Sequence, residues 1–424
     1  MKINTKCLHA GYEPKNGEPR VLPIYQSTTY KYESSEAMGK LFDLEENGYF
    51  YTRLANPTND AVAAKIAALE GGVAAVLTSS GQAANFYAVF NIAQAGDHIV
   101  SSSAIYGGTF NLFSVTMKKL GIDFTFISPD STKEEIDAAF KPNTKAVFAE
   151  TISNPSLNVL DIELFSSCAH EHGVPLIVDN TFPTPINCRP FEFGADIVTH
   201  STTKYMDGHA TQVGGVIVDS GNFDWTKSDK YPGLTTPDDS YHGITYTERF
   251  GKGAYITKAV AQLMRDLGSI PSPHNAFLLN LGLETLFLRM ERHCSNALKV
   301  AEFLENNENV TWVNFPGLES NKYYCVAKKY MPHGTCGVIS FGVKGGREAA
   351  TKFMDSLKLC TIATHVADCR TCVLHPASTT HRQLNSKQLE ECGVSEDLIR
   401  LSIGIEDVED IIEDIAQALE KAAE

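Results

Sequence analysis

The sequence predicts an α/β protein, with a mostly parallel, doubly wound sheet in a large domain and a smaller C-terminal α/β domain. Three observations carry that expectation. Between residues 74 and 218 short apolar runs alternate with helical segments, the pattern that right-handed crossovers build into a parallel sheet. A polar, aromatic stretch over 219–253 breaks this rhythm, and short strands and helices return from Val310 onward. The chain of 424 residues is long enough for two domains and a substantial core.

Residues 1–60 are rich in turns and aromatic side chains and have no clean period, so they are expected to lie extended against something larger. Asn56-Pro57-Thr58 is a turn signal, after which Asn59 or Asp60 can cap the helix former AVAAKIAALE, stopped at Gly71-Gly72. Ala74–Thr78 reads as a strand, and Ser80-Gly81-Gln82 opens a helix to about Gln94. His98–Ser102, Asp123–Ile127, Ala146–Glu150 and Val174–Val178 are further strands. Helices through Leu120, over KEEIDAAF and over Leu164–His172 separate them. Asp196–His200 is a short buried strand followed by Ser-Thr-Thr-Lys, and Val216–Val218 is another apolar run. The stretch Asp219–Gly253 reads as a long functional loop. Tyr255–Leu267 and Phe277–Leu304 are helical, and the chain finishes in the amphipathic IEDVEDIIEDIAQALEKA. The expected division is an N-terminal arm over 1–60, a large α/β domain over 61–257 and a C-terminal α/β domain over 258–424.

Charge narrows the function classes. Lys and Arg number 36 against 51 Asp and Glu, a net charge of −15 that argues against nucleic-acid or anionic-membrane binding. No apolar run approaches the roughly 18 residues of a membrane helix, and the first residues lack an apolar signal-peptide core. A cytoplasmic protein is expected. The ten cysteines are scattered, unlike a compact disulfide scaffold, and Cys369-Arg-Thr-Cys372 is expected to be two small apolar side chains in a strand.

Several residues can carry chemistry. Lys204 leaves a strand at the mouth of an open sheet, where such folds bind ligands, and an amine there can lose its proton through desolvation. A lysine that merely ends a strand has the same pattern. The helix opened by Gly81 and Gln82 offers free backbone N–H groups to a phosphate, although a tight strand-to-helix turn needs glycine too. Asp179 ends the apolar run Leu-Ile-Val and needs a cationic partner, either a protonated pyridine nitrogen or Mg²⁺; no second carboxylate stands out beside it. The 25 residues from Asp179 to Lys204 equal one helix and one strand, so both can reach one crevice. Tyr106 is a face for a flat ligand or a core tyrosine, and Asn154 can reach a ring oxygen or simply make a turn. Arg400, inside an apolar strand, asks for a substrate carboxylate or a structural salt bridge. His375 and His381 read as loop histidines. A phosphate cradle, an acid for a ring nitrogen, an aromatic lid, an imine-forming lysine and a carboxylate clamp are what pyridoxal 5′-phosphate and an amino-acid substrate require.

The stretches PIYQSTTY, YTRLANPT, SSGQAA, IYGGTF, ETISNP, IVDNTF, DIVTHSTTKY, HPASTTH and IRLSIGIED, in this order, resemble the Cys/Met-metabolism enzymes that use pyridoxal phosphate. Those are fold-type I proteins with the architecture of aspartate aminotransferase. DSYHGITYTERFG, QLMRDLGSIPSPHNAFLLNLGLETL and LRMERH are similar to the O-acetylhomoserine sulfhydrylase branch. The resemblance implies that Lys204 forms the imine with the cofactor, Asp179 pairs with the pyridinium nitrogen, Tyr106 stacks on the ring and Asn154 approaches its hydroxyl. It implies that the Gly81 and Gln82 amides and the Ser201 and Thr203 hydroxyls hold the phosphate, with Tyr51 and Arg53 completing that site from a neighbouring subunit. Arg400 matches the arginine that takes the substrate α-carboxylate. A dimer is then the smallest active unit, usually within a tetramer.

The implied reaction is replacement at Cγ: O-acetyl-L-homoserine and sulfide, or another thiol, give L-homocysteine and acetate, a step of methionine biosynthesis. Cystathionine γ-synthase, O-succinylhomoserine sulfhydrylase and methionine γ-lyase chemistry are alternatives on the same scaffold. One segment departs from the family pattern: His365 stands where a small polar residue is usual, Ala367 where glycine is usual and Cys372 where an apolar residue is usual.

Overall fold

In the computed structural model, which describes residues 1–379 and 395–424, the apolar runs pair into a seven-stranded sheet. Its strands are β1 (Ala74–Thr78), β2 (His98–Ser102), β3 (Asp123–Ile127), β4 (Thr144–Glu150), β5 (Leu176–Asp179), β6 (Ile197–His200) and β7 (Gly215–Asp219), in the order β1-β7-β6-β5-β4-β2-β3. The strands from β2 to β6 pair in parallel, and β7 runs antiparallel to both its neighbours. The expected mostly parallel, doubly wound sheet is present.

Both faces of the sheet are buried, which explains why its strands are continuous apolar runs rather than alternating ones. Val147 and Ala149 join one core, while Ala146 and Phe148 join the other. Helices Pro57–Glu70, Ile162–Glu171 and Pro273–Glu284 supply Ile66, Phe165 and Leu279 to the first core. Helix Gly81–Phe90 covers the second with Tyr87 and Ala88. Each large apolar side chain so buried contributes about 1.5–3 kcal/mol.

A second sheet lies downstream: β8 (Val310–Asn314), β9 (Val338–Val343), β10 (Thr361–Ile362), β11 (Cys372–Leu374) and β12 (Leu398–Ser402), in the order β10-β11-β12-β9-β8. It is antiparallel except for β10 with β11. Helix Leu286–Glu305 connects the two halves, burying Leu286 and Met290 in the first core and Val300 and Leu304 in a third core with β9, β12 and helix Val408–Ala423.

Local details differ from the sequence expectation. The cap of Pro57–Glu70 is Asn56, whose side chain accepts the Thr58 amide at 3.0 Å; Asn-Pro here starts a helix, with proline at the first position where its missing N–H costs nothing. Residues 1–60 are not all extended, since Ile3–His9 and Ser35–Phe42 are helical. The helix expected across Phe277–Leu304 breaks at Thr285. The break follows from contact: Gly282 sits where a Cβ would lie 2.4 Å from the Met206 carbonyl oxygen, and Arg289 takes the Gly282 carbonyl oxygen at 2.6 Å. The stretch Asp219–Gly253 buries Trp225, Tyr231, Tyr241 and Tyr246 in the second core, so it covers a sheet face.

Candidate active site

At the C-terminal ends of β4, β5 and β6 the chain leaves three adjacent parallel strands, and a cavity of about 280 Å³ opens between them and the smaller sheet. Lys204, Asp179, Tyr106, Asn154, Gly81, Gln82, Ser201, Thr203 and Arg400 all line it. Tyr51 and Arg53 do not; Tyr51 is 39% exposed, and Arg53 stacks on its ring at 5.1 Å and donates to the Arg265 carbonyl oxygen. No residue of Asp219–Gly253 lines this cavity.

Lys204 sits in the turn after β6, its amide on the Ser201 carbonyl oxygen at 3.3 Å and its own carbonyl oxygen accepting the Gly208 amide at 2.8 Å. Burial, assisted by the Arg400 charge, lowers its pKa from 10.5 to about 8. Asp179 is the last residue of β5. One of its oxygens accepts the Thr181 amide at 3.0 Å and the Thr181 hydroxyl at 2.5 Å, and the other accepts the Asn85 amide group at 3.2 Å. No lysine, arginine or histidine pairs with it among the described residues, so this carboxylate is oriented by hydrogen bonds and not by an ion pair.

The residues of the expected phosphate cradle come together at the start of one helix. Ser80 caps helix Gly81–Phe90 by accepting the Ala83 amide at 3.1 Å, and the Gly81 and Gln82 amides have no acceptor among the described residues. A Cβ on Gly81 would lie 2.6 Å from the Ser201 Cβ, so glycine lets the helix start touch the turn before Lys204. Thr203 is less available: its hydroxyl donates to the Gly214 carbonyl oxygen at 3.2 Å and accepts the Gly214 amide at 3.0 Å. Tyr106 is 50% exposed and is not a core residue. A Cβ on Gly108 would come within 2.5 Å of its ring, which accounts for the second glycine after it.

Arg400, on β12, is 7% exposed and pairs with no carboxylate among the described residues. Its guanidinium donates to Asn154 Oδ1 at 3.2 Å and to the His365 carbonyl oxygen at 3.2 Å, and its Nε has no partner. No structural salt bridge holds it among the described residues, and a buried guanidinium with an open N–H is fitted to an anion. His365 lies beside this pair; burial and the Lys204 charge lower its pKa, and its Nε2 has no partner.

Three neighbours were not legible as site residues. Glu150 ends β4 in register with Asp179, the second carboxylate that the sequence reading did not find. An acid closing an apolar strand, as in KAVFAE, repeats the signal that singled out Asp179. Thr181 and Asn85 orient Asp179 but carry no recognisable pattern. Metal chemistry gains no support from Glu150, since no group of three metal-ligating side chains exists among the described residues. Cys369 lies in a turn and Cys372 opens β11, so the pair does not share a strand, and both thiols are free. His375 is buried and bonded through both nitrogens, to Ser378 and to the Glu396 carbonyl oxygen; His381 is outside the described residues. No helix among the described residues is long and apolar enough to cross a membrane.

The family model described as Cys/Met metabolism PLP-dependent enzyme matches residues 4–420. The chain belongs to that family. Among similar proteins of known name are homocysteine synthase of Schizosaccharomyces pombe, 49% identical over 99% of this chain and 98% of that one, and O-acetyl-L-homoserine sulfhydrylase of Leptospira meyeri, 46% identical over 99% and 97%. A solved structure from Campylobacter jejuni, titled an O-acetylhomoserine (thiol)-lyase holding N′-pyridoxyl-lysine-5′-monophosphate, superposes with a TM-score of 0.95. It is 38% identical, covering 99% of this chain and 100% of that one. The Cys/Met metabolism family is PLP-dependent, and the cavity fits that cofactor: an oriented acid, helix amides with no acceptor among the described residues and a desolvated lysine line it together, the groups that a ring nitrogen, a phosphate and an aldehyde call for.

Proposed function

We propose that the protein converts O-acetyl-L-homoserine and sulfide into L-homocysteine and acetate, with pyridoxal 5′-phosphate held in the cavity through Lys204. The observation that carries this reading is the convergence of Lys204, Asp179 and Arg400 in one cavity of a chain 46–49% identical to proteins named for that chemistry. The Cγ–O bond to acetate breaks and a Cγ–S bond to hydrosulfide forms, so the exchange balances without an oxidant or reductant. When bound, the cofactor supplies an electron sink that acidifies the substrate Cα and Cβ.

The chain's own residues do the rest. Arg400 takes the α-carboxylate through two N–H groups, setting the Cα–H bond toward Lys204. With its pKa near 8, Lys204 has an unprotonated fraction at neutral pH and can remove the Cα proton, then one from Cβ, and return both. Asp179 holds a proton on the ring nitrogen. The Gly81 and Gln82 amides and the Ser201 hydroxyl bind the phosphate, joined by Thr203 once it turns from Gly214. Tyr106 covers the ring, and it or the partner's Tyr51 assists proton transfer near Cγ. Tyr51 and Arg53 serve the neighbouring subunit's phosphate site, so a dimer is the smallest active unit, within a tetramer and in the cytoplasm.

Product analysis tests the reaction. Acetyl- and succinyl-homoserine are each supplied with sulfide or cysteine, and homocysteine from the acetyl ester and sulfide is the expected dominant product. Borohydride reduction followed by peptide mapping is expected to label Lys204; a label elsewhere defeats the assignment.

A further inference from the structure

Glu150 is 7% exposed, lines the cavity and lies in register with Asp179 on the neighbouring strand, with no cationic partner among the described residues. Its Oε1 accepts the main-chain amide of Tyr106 at 2.7 Å, and the Asn154 amide also faces its carboxyl. Tyr106 precedes the short helix Gly107–Asn111 and has no side-chain cap of its own, so this hydrogen bond ties the residue that bears the ring directly to β4. Asn154 in turn accepts from Arg400 at 3.2 Å. One buried carboxyl therefore joins the loop after β2, the loop after β4 and, through Asn154, the arginine on the second sheet.

We propose that Glu150 is a positioning residue: by holding the Tyr106 and Asn154 amides it sets the tilt of the Tyr106 ring over the cofactor and the direction of the Arg400 guanidinium toward the substrate carboxylate. Burial, and after it the adjacent Asp179 charge, push its pKa well above the usual carboxylate range. The proposal rests on the functional reading above and deepens it.

The test uses holoenzyme of the wild type, Glu150→Ala, Glu150→Gln and Glu150→Asp. It reads visible circular dichroism of the bound cofactor, which reports ring tilt, and separates KM for O-acetylhomoserine from kcat. Glu150→Ala is expected to lose at least half of the visible ellipticity per bound cofactor and to raise KM roughly tenfold, the effect of leaving buried N–H groups unpaired. Glu150→Gln, whose side-chain oxygen still accepts from Tyr106, is expected to recover most of both. Wild-type ellipticity and KM in Glu150→Ala overturn the proposal, and so does a Glu150→Gln variant as impaired as the alanine one, which would make the charge the working part. If the alanine variant does not fold, Glu150→Asp decides: withdrawn by one methylene, it must show the same changes in smaller measure, and wild-type values overturn the idea. A wild-type protein without a visible cofactor band or homocysteine product would instead defeat the functional reading, leaving the two failures distinct.

Discussion

The two edges of the seven-stranded sheet are made from the same strands and treat polar groups in opposite ways. At the edge where β2, β4 and β6 begin, polar side chains are matched. His98 bonds Thr144 and Thr125 at 2.8 Å each, Asp97 accepts the Gln94 amide and lies 3.7 Å from Lys145, and Asp196 holds both the Leu176 amide and His170 at 2.8 Å. At the opposite edge Gln82 Oε1, Arg400 Nε and His365 Nε2 are buried without partners, Glu150 faces Asp179, and Lys204 is desolvated. Unmatched buried polar groups cost about 1–3 kcal/mol each, so the sheet is stabilised at one edge and left unsatisfied at the edge that receives the cofactor and substrate.

Replacing Lys204 should have the largest effect. Lys204→Ala is expected to reduce turnover by several orders of magnitude while the circular dichroism of the fold is retained; near wild-type turnover would refute its role. Cofactor-free Lys204→Met should also be more stable than cofactor-free wild type. Its pKa is lowered on folding, so the charged amine penalises the native state below about pH 8, and the penalty fades as pH rises from about 8 toward 10.5. The stability gap between the two should therefore be widest below pH 8. A gap that widens above it would contradict the desolvation account.

Arg400 comes next. Arg400→Lys removes the two-pronged donor while keeping the charge, and charge-assisted hydrogen bonds of about 1.5–3 kcal/mol convert to a roughly 10- to 100-fold loss of kcat/KM, carried mainly by KM. An unchanged KM would indicate that the substrate carboxylate binds elsewhere.

Asp219 is the exception at the matched edge. Its Oδ1 accepts the Gly221 amide at 2.8 Å but Oδ2 is buried without a partner, and burial raises its pKa from 3.8 to about 7. The native state therefore binds a proton that the unfolded chain does not between those values, and the destabilising charge is fully present only above about pH 7. Asp219→Asn is expected to stabilise by about 1–3 kcal/mol at pH 8 and by progressively less toward pH 5, read from denaturant midpoints. A gain independent of pH would mean that the carboxylate charge is not what makes this position costly.

The sheet was legible because both its faces are buried, so each strand had to be an apolar run, and the residues at their ends, Asp179 and Lys204, stood out as polar groups closing such runs. Glu150 obeys the same rule and was passed over, because its importance comes from strand order: β4 and β5 being neighbours is what sets it against Asp179. The same holds for Arg289, which donates to the Tyr205 carbonyl oxygen at 2.6 Å and to Gly282, and for Thr181 and Asn85 around Asp179. Their roles are contacts between segments distant in the chain, which no local pattern encodes. The break at Thr285 and the burial of the aromatic residues of 219–253 were hidden for the same reason.

The smallest expected effect lies at Ala367, which follows His365 and Val366 beside the cavity. It is fully buried at φ +69, a left-handed conformation that strains an alanine, and its amide donates to Ser402 Oγ at 2.7 Å. Ala367→Gly should relieve about 1 kcal/mol of that strain, less what glycine gains in freedom when unfolded, and so shift the denaturant midpoint slightly upward. The segment ends on β11 and presents the Thr364 and His365 carbonyl oxygens to Arg400, so the strain bears on the unsatisfied edge. If the alanine serves only to fill space, Ala367→Gly gains stability with KM unchanged. A rise in KM alongside the gain would show that the left-handed alanine stiffens the strap that aims Arg400, so that its strain serves the site beside it.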